Sequence, residues 1–407
     1  MDCGLIGRKL GHSFSPKIHS LLGEYPYRLI PLEPEEVGNF LQKGEFHGLN
    51  VTIPYKKTVM EYCAELTPAA QRIGSVNTIL RRPDGTLLGD NTDYDGFLYL
   101  LKSAGAQIEG RKALVLGSGG ASLTVRAVIS ELGAREIITI SRSGENNYQN
   151  LDRHADAQII VNATPVGMYP NNGVSPVDLD QFPQCEGVFD LIYNPAKTQL
   201  LLQAQRRGLI WGNGLGMLVA QAKAASERFQ GKKLPDELVT DITAKLERET
   251  KNILLIGMPG CGKTTVGKAL AQKLGRPLAD VDEAIVAQAG CSIPEIFAKE
   301  GEEGFRAREH RALVQIAKES GQVISAGGGI VTRPENRDPM EENSVVVWLR
   351  RDLHKLPTDG RPVSQSVPRE ELYRRRAPLY EAAAQVTVDN NGTVEDTVDE
   401  IIRRVMG

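Results

Sequence analysis

Short apolar runs alternate with helical patterns along almost the whole chain. Runs of about five apolar residues are typical of strands, and strands separated by helices are the pattern of parallel α/β sheets. The predicted strands form two successive series, Cys3–Gly7, Tyr27–Leu32, Leu49–Ile53, Ala113–Leu116, Glu136–Ile140, Gln158–Asn162 and Gly187–Leu191, then Asn252–Ile256, Gln322–Ser325 and Ser344–Leu349. The pattern therefore predicts an α/β fold with parallel sheets in two halves.

A polar, amphipathic stretch ends the first half. Within Pro235–Glu249, the apolar residues Leu238, Ile242 and Leu246 recur every four positions, which predicts a helix. Only Thr250–Lys251 separates this helix from the next predicted strand, so the join between the halves is short.

Composition narrows the class of protein. The length of 407 residues suits two or three domains, and the net charge of −3 argues against a nucleic-acid binder and against a highly charged disordered chain. No apolar run reaches the roughly 18 residues of a membrane span, and the first residues lack a secretory pattern. The five cysteines are scattered without a CxxC, which indicates neither a disulfide framework nor a zinc site. We expect a cytoplasmic protein with small-molecule substrates, no nucleic-acid or membrane partner, and an oligomeric state that the sequence leaves open.

A glycine turn in the first half has the context of a dinucleotide site. The strand Ala113–Leu116 runs directly into Gly117–Ser122 (GSGGAS), and a helical pattern follows over Leu123–Leu132. Glycines let the backbone approach a pyrophosphate, and the helix N-terminus supplies N–H groups. Ser122 stands where a GxGxxG motif has its third glycine, so an ordinary tight turn is the alternative.

The next strand favours NADP over NAD. An NAD site usually has Asp or Glu after this strand to bind the ribose 2′-hydroxyl. Here Ser141 and Arg142 follow the strand, and a guanidinium suits a 2′-phosphate. The alternative is a solvated arginine.

A second glycine loop predicts an ATP site. Strand Asn252–Ile256 leads into Gly257–Thr264 (GMPGCGKT), which satisfies GxxxxGK[ST], and a helix is predicted over Val266–Leu274. Lys263 would reach the β- and γ-phosphates, and the Thr264 hydroxyl would bind Mg²⁺. The residues assigned to ATP binding are Gly260, Cys261, Gly262, Lys263, Thr264 and Thr265, with Cys261 interpreted as packing and not as a nucleophile.

Seven short motifs follow one another along the first half. They are HSFSP at 12–16, NVTIPYK at 50–56, GSVNT at 74–78, DNTD at 90–93, GSGGAS at 117–122, NATPVGM at 162–168 and GMLVAQA at 216–222. Through this series the first half closely resembles shikimate dehydrogenase over about residues 1–248. The resemblance implies a substrate domain over 1–100 that helices in 214–249 complete, and a Rossmann NADP domain over 101–213. It also implies NADPH-dependent reduction of 3-dehydroshikimate to shikimate.

This resemblance assigns roles position by position. Lys56 and Asp93 match the family's catalytic pair, and an ammonium there can donate a proton to the oxygen that hydride transfer leaves negative. The residues that match shikimate contacts are Ser13, Ser15, Thr52, Asn77, Asp93, Tyr193 and Gln221. Those that match NADP contacts are Gly117, Ser118, Gly119, Gly120, Ala121, Ser141, Arg142 and Gly214. Taken alone, Asp93 could equally be the N-cap of a helix over Tyr94–Lys102.

The second half resembles shikimate kinase over about residues 252–407. Besides the phosphate loop, its motifs are DVD at 280–282, GEEGFR at 301–306, AGGG at 326–329, RP at 361–362 and RAPLY at 376–380. The resemblance implies a P-loop kinase domain with a parallel sheet, which phosphorylates the 3-hydroxyl of shikimate with ATP and Mg²⁺.

Roles transfer here as well. Asp282 would orient or deprotonate the 3-hydroxyl, and Asp280 would join Thr264 in holding Mg²⁺. Arg306 and Arg376 would bind the shikimate carboxylate, since planar forks suit a planar anion. The backbone of Gly328 would approach the ring. The lid residue Arg361 would neutralise charge on the transferring phosphoryl group, and with Lys263 it completes the catalytic set.

One departure and two alternatives complete the prediction. Only the eleven residues Arg350–Gly360 separate Leu349 from Arg361, so the kinase lid is shorter than the family's. A quinate-type dehydrogenase that uses NAD is the first alternative, and Arg142 argues against it. A chain in which one half is an inactive scaffold or ligand sensor is the second, and the intact catalytic sets argue against that. Because each half has its own motif set, we expect the two activities to survive a cut near Thr250–Lys251.

Overall fold

The structure, a computed structural model, describes residues 2–11, 13–356 and 368–407. The chain divides into two compact units. The first comprises Met1–Met168, Val174–Tyr193 and Gln203–Lys245, and the second comprises Tyr169–Gly173, Asn194–Leu202 and Leu246–Gly407.

The first unit begins with a mixed sheet. Within the described residues it has six strands in the order β2-β1-β3-β5-β6-β4. The elements are β1 Cys3–Gly7, α1 Ser15–Leu22, β2 Tyr27–Pro31, α2 Pro34–Lys43, β3 Gly48–Val51, β4 Glu65–Leu66, α3 Pro68–Ile73, β5 Thr78–Arg81 and β6 Leu87–Asp90. β5 runs antiparallel to both β3 and β6, so this sheet is mixed and differs at β5 from the predicted parallel arrangement. The turn at Gly85 (φ 85°) joins β5 to β6 so closely that these two strands pair antiparallel.

Because β5 pairs with both β3 and β6, it brings residues of three sequence motifs together. In the pairing register, Asn50 at the end of β3 faces Thr78 at the start of β5, and Thr78 faces Asp90 at the end of β6. Three motifs that lie far apart in sequence therefore meet at one edge of the sheet.

The second sheet of this unit is parallel, as predicted. Its order over the described strands is β11-β10-β9-β7-β8. The elements are α4 Asp93–Ser103, β7 Lys112–Leu116, α5 Gly120–Glu131, β8 Glu136–Ile140, β9 Ile159–Asn162, β10 Gly187–Asp190, α6 Gln199–Arg206, β11 Ile210–Gly212, α7 Gly214–Gln230 and α8 Glu237–Thr250. The start of α6, up to Leu202, and the end of α8, from Leu246, are assigned to the second unit. Every residue of β7, β9 and β10 is buried, as expected for strands covered on both faces.

Helices α4 and α7 pack closely against each other. A Cβ at Gly96 of α4 would lie 2.6 Å from the carbonyl oxygen of Met217 in α7, so only glycine fits there. Near the other end of α7, the ring of Phe229 lies against Gly48 of β3. The helix therefore contacts both α4 and the first sheet, and it holds the side chains along it in fixed positions.

The second unit contains a parallel sheet with β12 at its centre. The order over its described strands is β13-β14-β12-β15-β16. The elements are β12 Asn252–Ile256, α9 Lys263–Leu274, β13 Leu278–Asp280, α10 Val281–Ala289, α11 Ile293–Ile316, β14 Val323–Ser325, α12 Arg337–Glu341, β15 Ser344–Arg350, α13 Arg369–Ala383, β16 Val386–Asp389 and α14 Val394–Met406. α11 is interrupted at Gly301, whose φ of 69° only glycine adopts readily.

Short 3₁₀ turns connect several of these elements, at Thr58–Tyr62, Leu151–His154, Leu179–Gln181, Ile330–Thr332, Pro334–Asn336 and Leu353–Lys355. Among the helices of the described residues, none combines the length and apolar character that crossing a membrane requires.

Candidate active sites

A cavity of about 500 Å³ lies in the first unit. The sequence-predicted residues that line it are Ser13, Ser15, Thr52, Lys56, Asn77, Asp93, Ala121, Tyr193, Gly214 and Gln221. The structure therefore brings all seven predicted shikimate contacts and two of the predicted NADP contacts, Ala121 and Gly214, to one place.

Backbone hydrogen bonds between motifs build this cavity. The Val76 N–H donates to the Lys56 carbonyl (2.8 Å), and the Val51 N–H donates to the Asn77 carbonyl (2.7 Å). The Asn77 N–H in turn donates to the Asp90 carbonyl (3.0 Å). Lys56 and Asn77 are thus set by the sheet edge and not by a free loop.

Lys56 and Asp93 form an ion pair inside the cavity. Lys56 Nζ lies 2.5 Å from Asp93 Oδ2, and the two side chains are 25% and 16% exposed. Asp93 is the first residue of α4, while Thr92 occupies the N-cap position. The alternative role of Asp93 as N-cap is therefore wrong, and its carboxylate is committed to the lysine. The pair places a proton donor and an acceptor side by side in a partly dry site.

Ser13 and Ser15 lie at the beginning of α1. The Ser15 N–H donates to Ser13 Oγ (3.2 Å), and Ser15 is buried. Hydroxyls beside a helix N-terminus favour an anion, because the first N–H groups and the helix dipole point at it. This end of the cavity suits a carboxylate.

Asn50 also lines the cavity, although the sequence reasoning assigned it no role. Its Oδ1 accepts from the Tyr27 hydroxyl (2.7 Å), and its Nδ2 donates to Thr78 Oγ1 (3.2 Å). Asn77 is held in the same way, because its Oδ1 accepts the Thr92 N–H at 2.7 Å. Asn50 is the first residue of the NVTIPYK motif, and this position in the motif could have indicated its place in the cavity.

Tyr193, Gly214 and Gln221 close the cavity from the other sheet and from α7. The Tyr193 ring packs against Phe14 with centroids 5.9 Å apart, and burial raises the pKa of its hydroxyl. A Cβ at Gly214 would lie 2.0 Å from the Leu191 carbonyl oxygen, so this close approach requires glycine. Gln221 is fixed by a bond from its Nε2 to the Leu218 carbonyl (2.8 Å).

The predicted dinucleotide loop lies where β7 ends. Gly117 has φ 105°, and Cβ atoms at Gly119 and Gly120 would meet open space. Ser122 is buried and bonds the Gly119 carbonyl through its hydroxyl (2.6 Å). The Ser122 hydroxyl is therefore bonded within the turn. A serine in place of the third glycine of GxGxxG leaves the surface at Gly119 and Gly120 open to a ligand. Ser118 belongs to the same turn.

Ser141 and Arg142 follow the neighbouring strand β8. The Gly117 N–H donates to the Ile140 carbonyl (2.8 Å), so the end of β8 lies directly beside the glycine turn. Arg142 is exposed, which leaves its guanidinium accessible to a ligand at this edge of the sheet.

A second cavity, of about 680 Å³, lies in the second unit. The sequence-predicted residues that line it are Gly260, Gly262, Lys263, Thr264, Thr265, Asp282, Arg306, Gly328 and Arg376. Cys261 does not line it and is fully buried, in agreement with its interpretation as a packing residue. Arg361 and the lid residues 357–360 before it lie outside the described residues.

The phosphate loop turns on glycines and holds its lysine internally. Gly260 and Gly262 have φ of 83° and 98°. Lys263 Nζ donates to the carbonyls of Gly257 (2.9 Å) and Met258 (3.1 Å). The ammonium therefore lies over the loop whose N–H groups would surround a phosphate.

Thr264 and Asp280 meet beside this loop. The Thr264 hydroxyl donates to Asp280 Oδ2 (3.0 Å), while Asp280 Oδ1 caps α10 by accepting the Asp282 N–H (3.0 Å). A hydroxyl and a carboxylate are hard oxygen ligands of the kind that Mg²⁺ takes, with water and phosphate completing its shell. The donor set fits Mg²⁺ bound together with a nucleotide.

Arg306 is buried in an acidic setting. Its guanidinium donates to Glu309 (2.7 Å) and to Glu302 (3.2 Å), and the Glu309 side chain is fully buried. Burial raises the pKa of Glu309, and the positive charge of Arg306 opposes this effect. A Cβ at Gly329 would lie 2.2 Å from the guanidinium, so this position of Arg306 requires a glycine at 329. The sequence reasoning missed Glu309, although it lies three positions after Arg306 on the same helix.

Gly328 and Arg376 are joined by a hydrogen bond in the same cavity. Arg376 donates to the Gly328 carbonyl (3.1 Å), and the hydroxyl of Tyr380, which also had no predicted role, donates to the same oxygen. A Cβ at Gly327 would lie 2.4 Å from Glu309 and 3.1 Å from Asp282. The triple-glycine turn therefore lets two carboxylates and an arginine approach one cavity wall.

Comparisons with known families match both halves. Residues 5–79 match the shikimate dehydrogenase substrate binding domain, and residues 259–406 match shikimate kinase. A shikimate dehydrogenase (NADP(+)) of Clostridium beijerinckii is 36% identical over 267 residues, which cover 61% of this chain and 98% of that protein.

Solved structures give the same result for the first half. A chorismate mutase/shikimate 5-dehydrogenase fusion protein from Clostridium acetobutylicum is 36% identical, with a TM-score of 0.57 and coverage of 60% of this chain and 97% of that one. Shikimate 5-dehydrogenase of Thermus thermophilus, in complex with NADP(H) and shikimate, is 30% identical, with a TM-score of 0.55 and coverage of 60% and 99%.

Proposed function

This chain belongs to the shikimate dehydrogenase family and carries a shikimate kinase domain after it, and from that premise we propose how its two cavities act in sequence. The chain is a bifunctional enzyme of the shikimate pathway. The first cavity reduces 3-dehydroshikimate to shikimate, and the second phosphorylates that shikimate at its 3-hydroxyl. The observation that carries the proposal is the Lys56–Asp93 pair at 2.5 Å, set among the predicted substrate contacts.

In the first cavity, the chain binds the substrate and supplies a proton. Ser13 and Ser15 bind the carboxylate at the α1 N-terminus, and the other polar lining residues, Thr52, Asn77, Tyr193 and Gln221, bind the ring oxygens. Bound NADPH supplies the hydride for C3. Lys56 Nζ gives a proton to the C3 oxygen, which becomes the 3-hydroxyl, and Asp93 accepts from that hydroxyl and holds the ammonium in place.

The dinucleotide would lie over the turn after β7. The N–H groups of Ser118–Ala121 at the α5 N-terminus would bind its pyrophosphate, since Gly119 and Gly120 leave open space there. Ser141 and Arg142 would bind the 2′-phosphate, and Gly214 would lie beside the nicotinamide end.

In the second cavity, Arg306 and Arg376 bind the shikimate carboxylate and Asp282 accepts the proton of the 3-hydroxyl. MgATP supplies the γ-phosphoryl group, and the phosphate loop with Lys263 and Thr265 binds its phosphates. Thr264 and Asp280 fit the metal. The Arg361 role stays a prediction, because the residue lies outside the described residues.

The two reactions share one oxygen. The ketone at C3 cannot accept a phosphoryl group until it is reduced to a hydroxyl, so the first cavity makes the nucleophile that the second consumes. This explains why one chain carries both. The domain bounds 1–100 with 214–249, 101–213 and 252–407 remain part of the proposal, as does a cytoplasmic location, which five free cysteines support.

Separate assays on the full chain test the proposal. NADP⁺ reduction by shikimate reports the first activity, and shikimate-dependent release of ADP from MgATP reports the second. We expect both. A chain that binds both sets of ligands but turns over only one of the two pairs would support the scaffold alternative and overturn the proposal.

A further inference from the structure

Two short stretches of chain belong to the second unit although they precede residue 203. They are Tyr169–Gly173 and Asn194–Leu202, which we call the early segments. The Tyr169 N–H donates to the Asn194 carbonyl (3.1 Å), so the two segments are tied to each other. Neither segment contains a residue that the proposed reactions use.

Glu342 binds both early segments. Its carboxylate accepts from Asn172 Nδ2 (2.5 Å) and from Gln199 Nε2 (3.2 Å), and its backbone carbonyl accepts the Lys197 N–H (2.8 Å). Glu342 is buried, and burial raises the pKa of its carboxyl. A buried carboxylate held by two amide donors is a specific attachment, because removing it leaves those donors unpaired.

Two further bonds attach the first early segment close by. The Tyr169 hydroxyl donates to the Ala317 carbonyl (3.1 Å), and Lys318 Nζ donates to the Pro170 carbonyl (3.0 Å). The attachment thus has several independent points within the second unit.

The chain continues from this attachment into the dehydrogenase cavity. Tyr193, which lines that cavity, is the residue immediately before Asn194. The position of the Tyr193 backbone is therefore set from one side by an early segment. We propose that Glu342, a residue of the kinase half, is a positioning residue for the dehydrogenase site and fixes Tyr193 through Asn194–Leu202. The inference rests on the proposed dehydrogenase function.

The kinase loop should not respond to the same residue. Glu342 lies just before β15, whose first residue Ser344 pairs with Asn252. The phosphate loop begins at Gly257, five residues farther along β12, which is about 16 Å at the rise of a strand. A substitution of Glu342 should consequently change the distant reaction and spare the reaction of its own half.

Steady-state kinetics of the full chain test the inference. The variants are Glu342→Ala, Glu342→Gln and Asn172→Ala, with Asn171→Ala as matched control, because Asn171 is an exposed neighbour of the same type. For Glu342→Ala we expect KM for shikimate in NADP⁺ reduction to rise about tenfold, with kcat within about twofold, since only binding contacts are lost. Asn172→Ala should show a smaller rise, and Glu342→Gln should stay near wild type because an amide can keep the Gln199 bond.

Kinase parameters and thermal unfolding separate positioning from folding. The inference holds if kinase KM and kcat stay at wild-type values in all four variants, while the dehydrogenase KM rises in Glu342→Ala and to a smaller extent in Asn172→Ala but not in Asn171→Ala. It is overturned if Glu342→Ala leaves the dehydrogenase KM unchanged. It is also overturned if Glu342→Ala lowers both activities together with the melting temperature while Asn172→Ala changes nothing. If the wild-type chain itself does not reduce NADP⁺ with shikimate, the proposed function is overturned. That result is seen without any variant, so it is distinct from failure of the inference about Glu342.

Discussion

The two cavities are built by different means. In the dehydrogenase cavity, backbone bonds along one sheet edge bring together side chains from separate motifs, and the Lys56 ammonium is paired with Asp93. In the kinase cavity, glycine turns let charged groups approach each other, and the cations are already bonded inside the protein. Lys263 binds two loop carbonyls and Arg306 binds two glutamates.

The two cavities differ in how many internal hydrogen bonds and ion pairs a ligand must replace when it binds. A substrate in the first cavity meets neutral hydroxyls and amides around one ion pair, with little to displace. An anion in the second cavity must compete for the guanidinium and ammonium groups with loop carbonyls and with two carboxylates, of which Glu309 is buried. The first site is preorganised by its sheet, whereas the second should rearrange when ligands bind.

The largest expected effect is at Lys56. Lys56→Ala should lower dehydrogenase kcat by about 10³- to 10⁴-fold, because both the proton donor and the positive charge are lost. Kinase turnover should remain at wild-type level. NADP⁺ reduction by shikimate measures the loss, and the exposed neighbour Lys57→Ala is the matched control. Near-normal turnover in Lys56→Ala would disprove the role.

Arg376→Lys tests the corresponding contact in the kinase cavity. A lysine keeps the charge but not the planar fork, so KM for shikimate in the kinase reaction should rise about 10- to 100-fold. Dehydrogenase kinetics should be unchanged. Arg375→Lys is the control, since that side chain is exposed and bonded to Glu371. Equal effects of the two substitutions would rule out a specific carboxylate contact by Arg376.

Arg142→Asp tests the cofactor preference. The substitution removes a cation for the 2′-phosphate and adds an acceptor for a ribose hydroxyl, so the NADP/NAD ratio of kcat/KM should fall about 10- to 100-fold. Arg142→Ala separates the two contributions and should give the smaller change. An unchanged ratio in both variants would mean that Arg142 does not contact the phosphate.

A fragment of residues 251–407 tests how far the halves are independent. The fragment lacks the early segments, which leaves Glu342 without Asn172 and Gln199 and removes the Tyr169 bond. We expect its free energy of unfolding to be lower than that of the second unit in the full chain by about 2 kcal/mol or more. Denaturant unfolding measures this, and equal stability would show that the early segments contribute nothing.

Acid should affect the two units differently. His19 is fully buried in the first unit, and burial lowers its pKa from 6.5 to about 3. Between those values the unfolded chain binds a proton that the folded chain does not, so stability is complete above pH 6.5 and falls as the pH drops. At pH 5 the loss is about 2 kcal/mol. The buried Glu309 and Glu342 of the second unit have raised pKa values, which gives the opposite sign. Calorimetry at pH 7.5 and 5 should show the larger decrease in melting temperature for the first unit.

Local chemistry made most of the site predictable. A phosphate loop needs its glycines, lysine and hydroxyl in a fixed order, so Gly260–Thr264 could be assigned from the chain alone. Lys56 and Asp93 followed from a resemblance of whole motifs, and the structure places them in contact. The helix over 237–250 followed from its apolar spacing.

The unpredicted features depend on pairing between distant residues. The antiparallel strand Thr78–Arg81 is only four residues long, which is too short for a clear alternation. Glu309 gains its importance from being buried against Arg306, and charge alone does not distinguish it from the exposed glutamates nearby. The early segments lie within an ordinary series of strands and helices, and their assignment to the second unit follows from three-dimensional contacts such as those with Glu342 and Ala317.

The most direct test of the central claim follows one carbon through both cavities. The full chain is given 3-dehydroshikimate, MgATP and NADPH with deuterium at the transferred position, and the products are followed by mass spectrometry. The account predicts shikimate 3-phosphate that carries one deuterium at C3, formed through free or bound deuterated shikimate. Lys56→Ala should form none of it and still phosphorylate added shikimate. Accumulation of deuterated shikimate without its phosphate, or no transfer of deuterium at all, would contradict the claim that this chain performs both reactions.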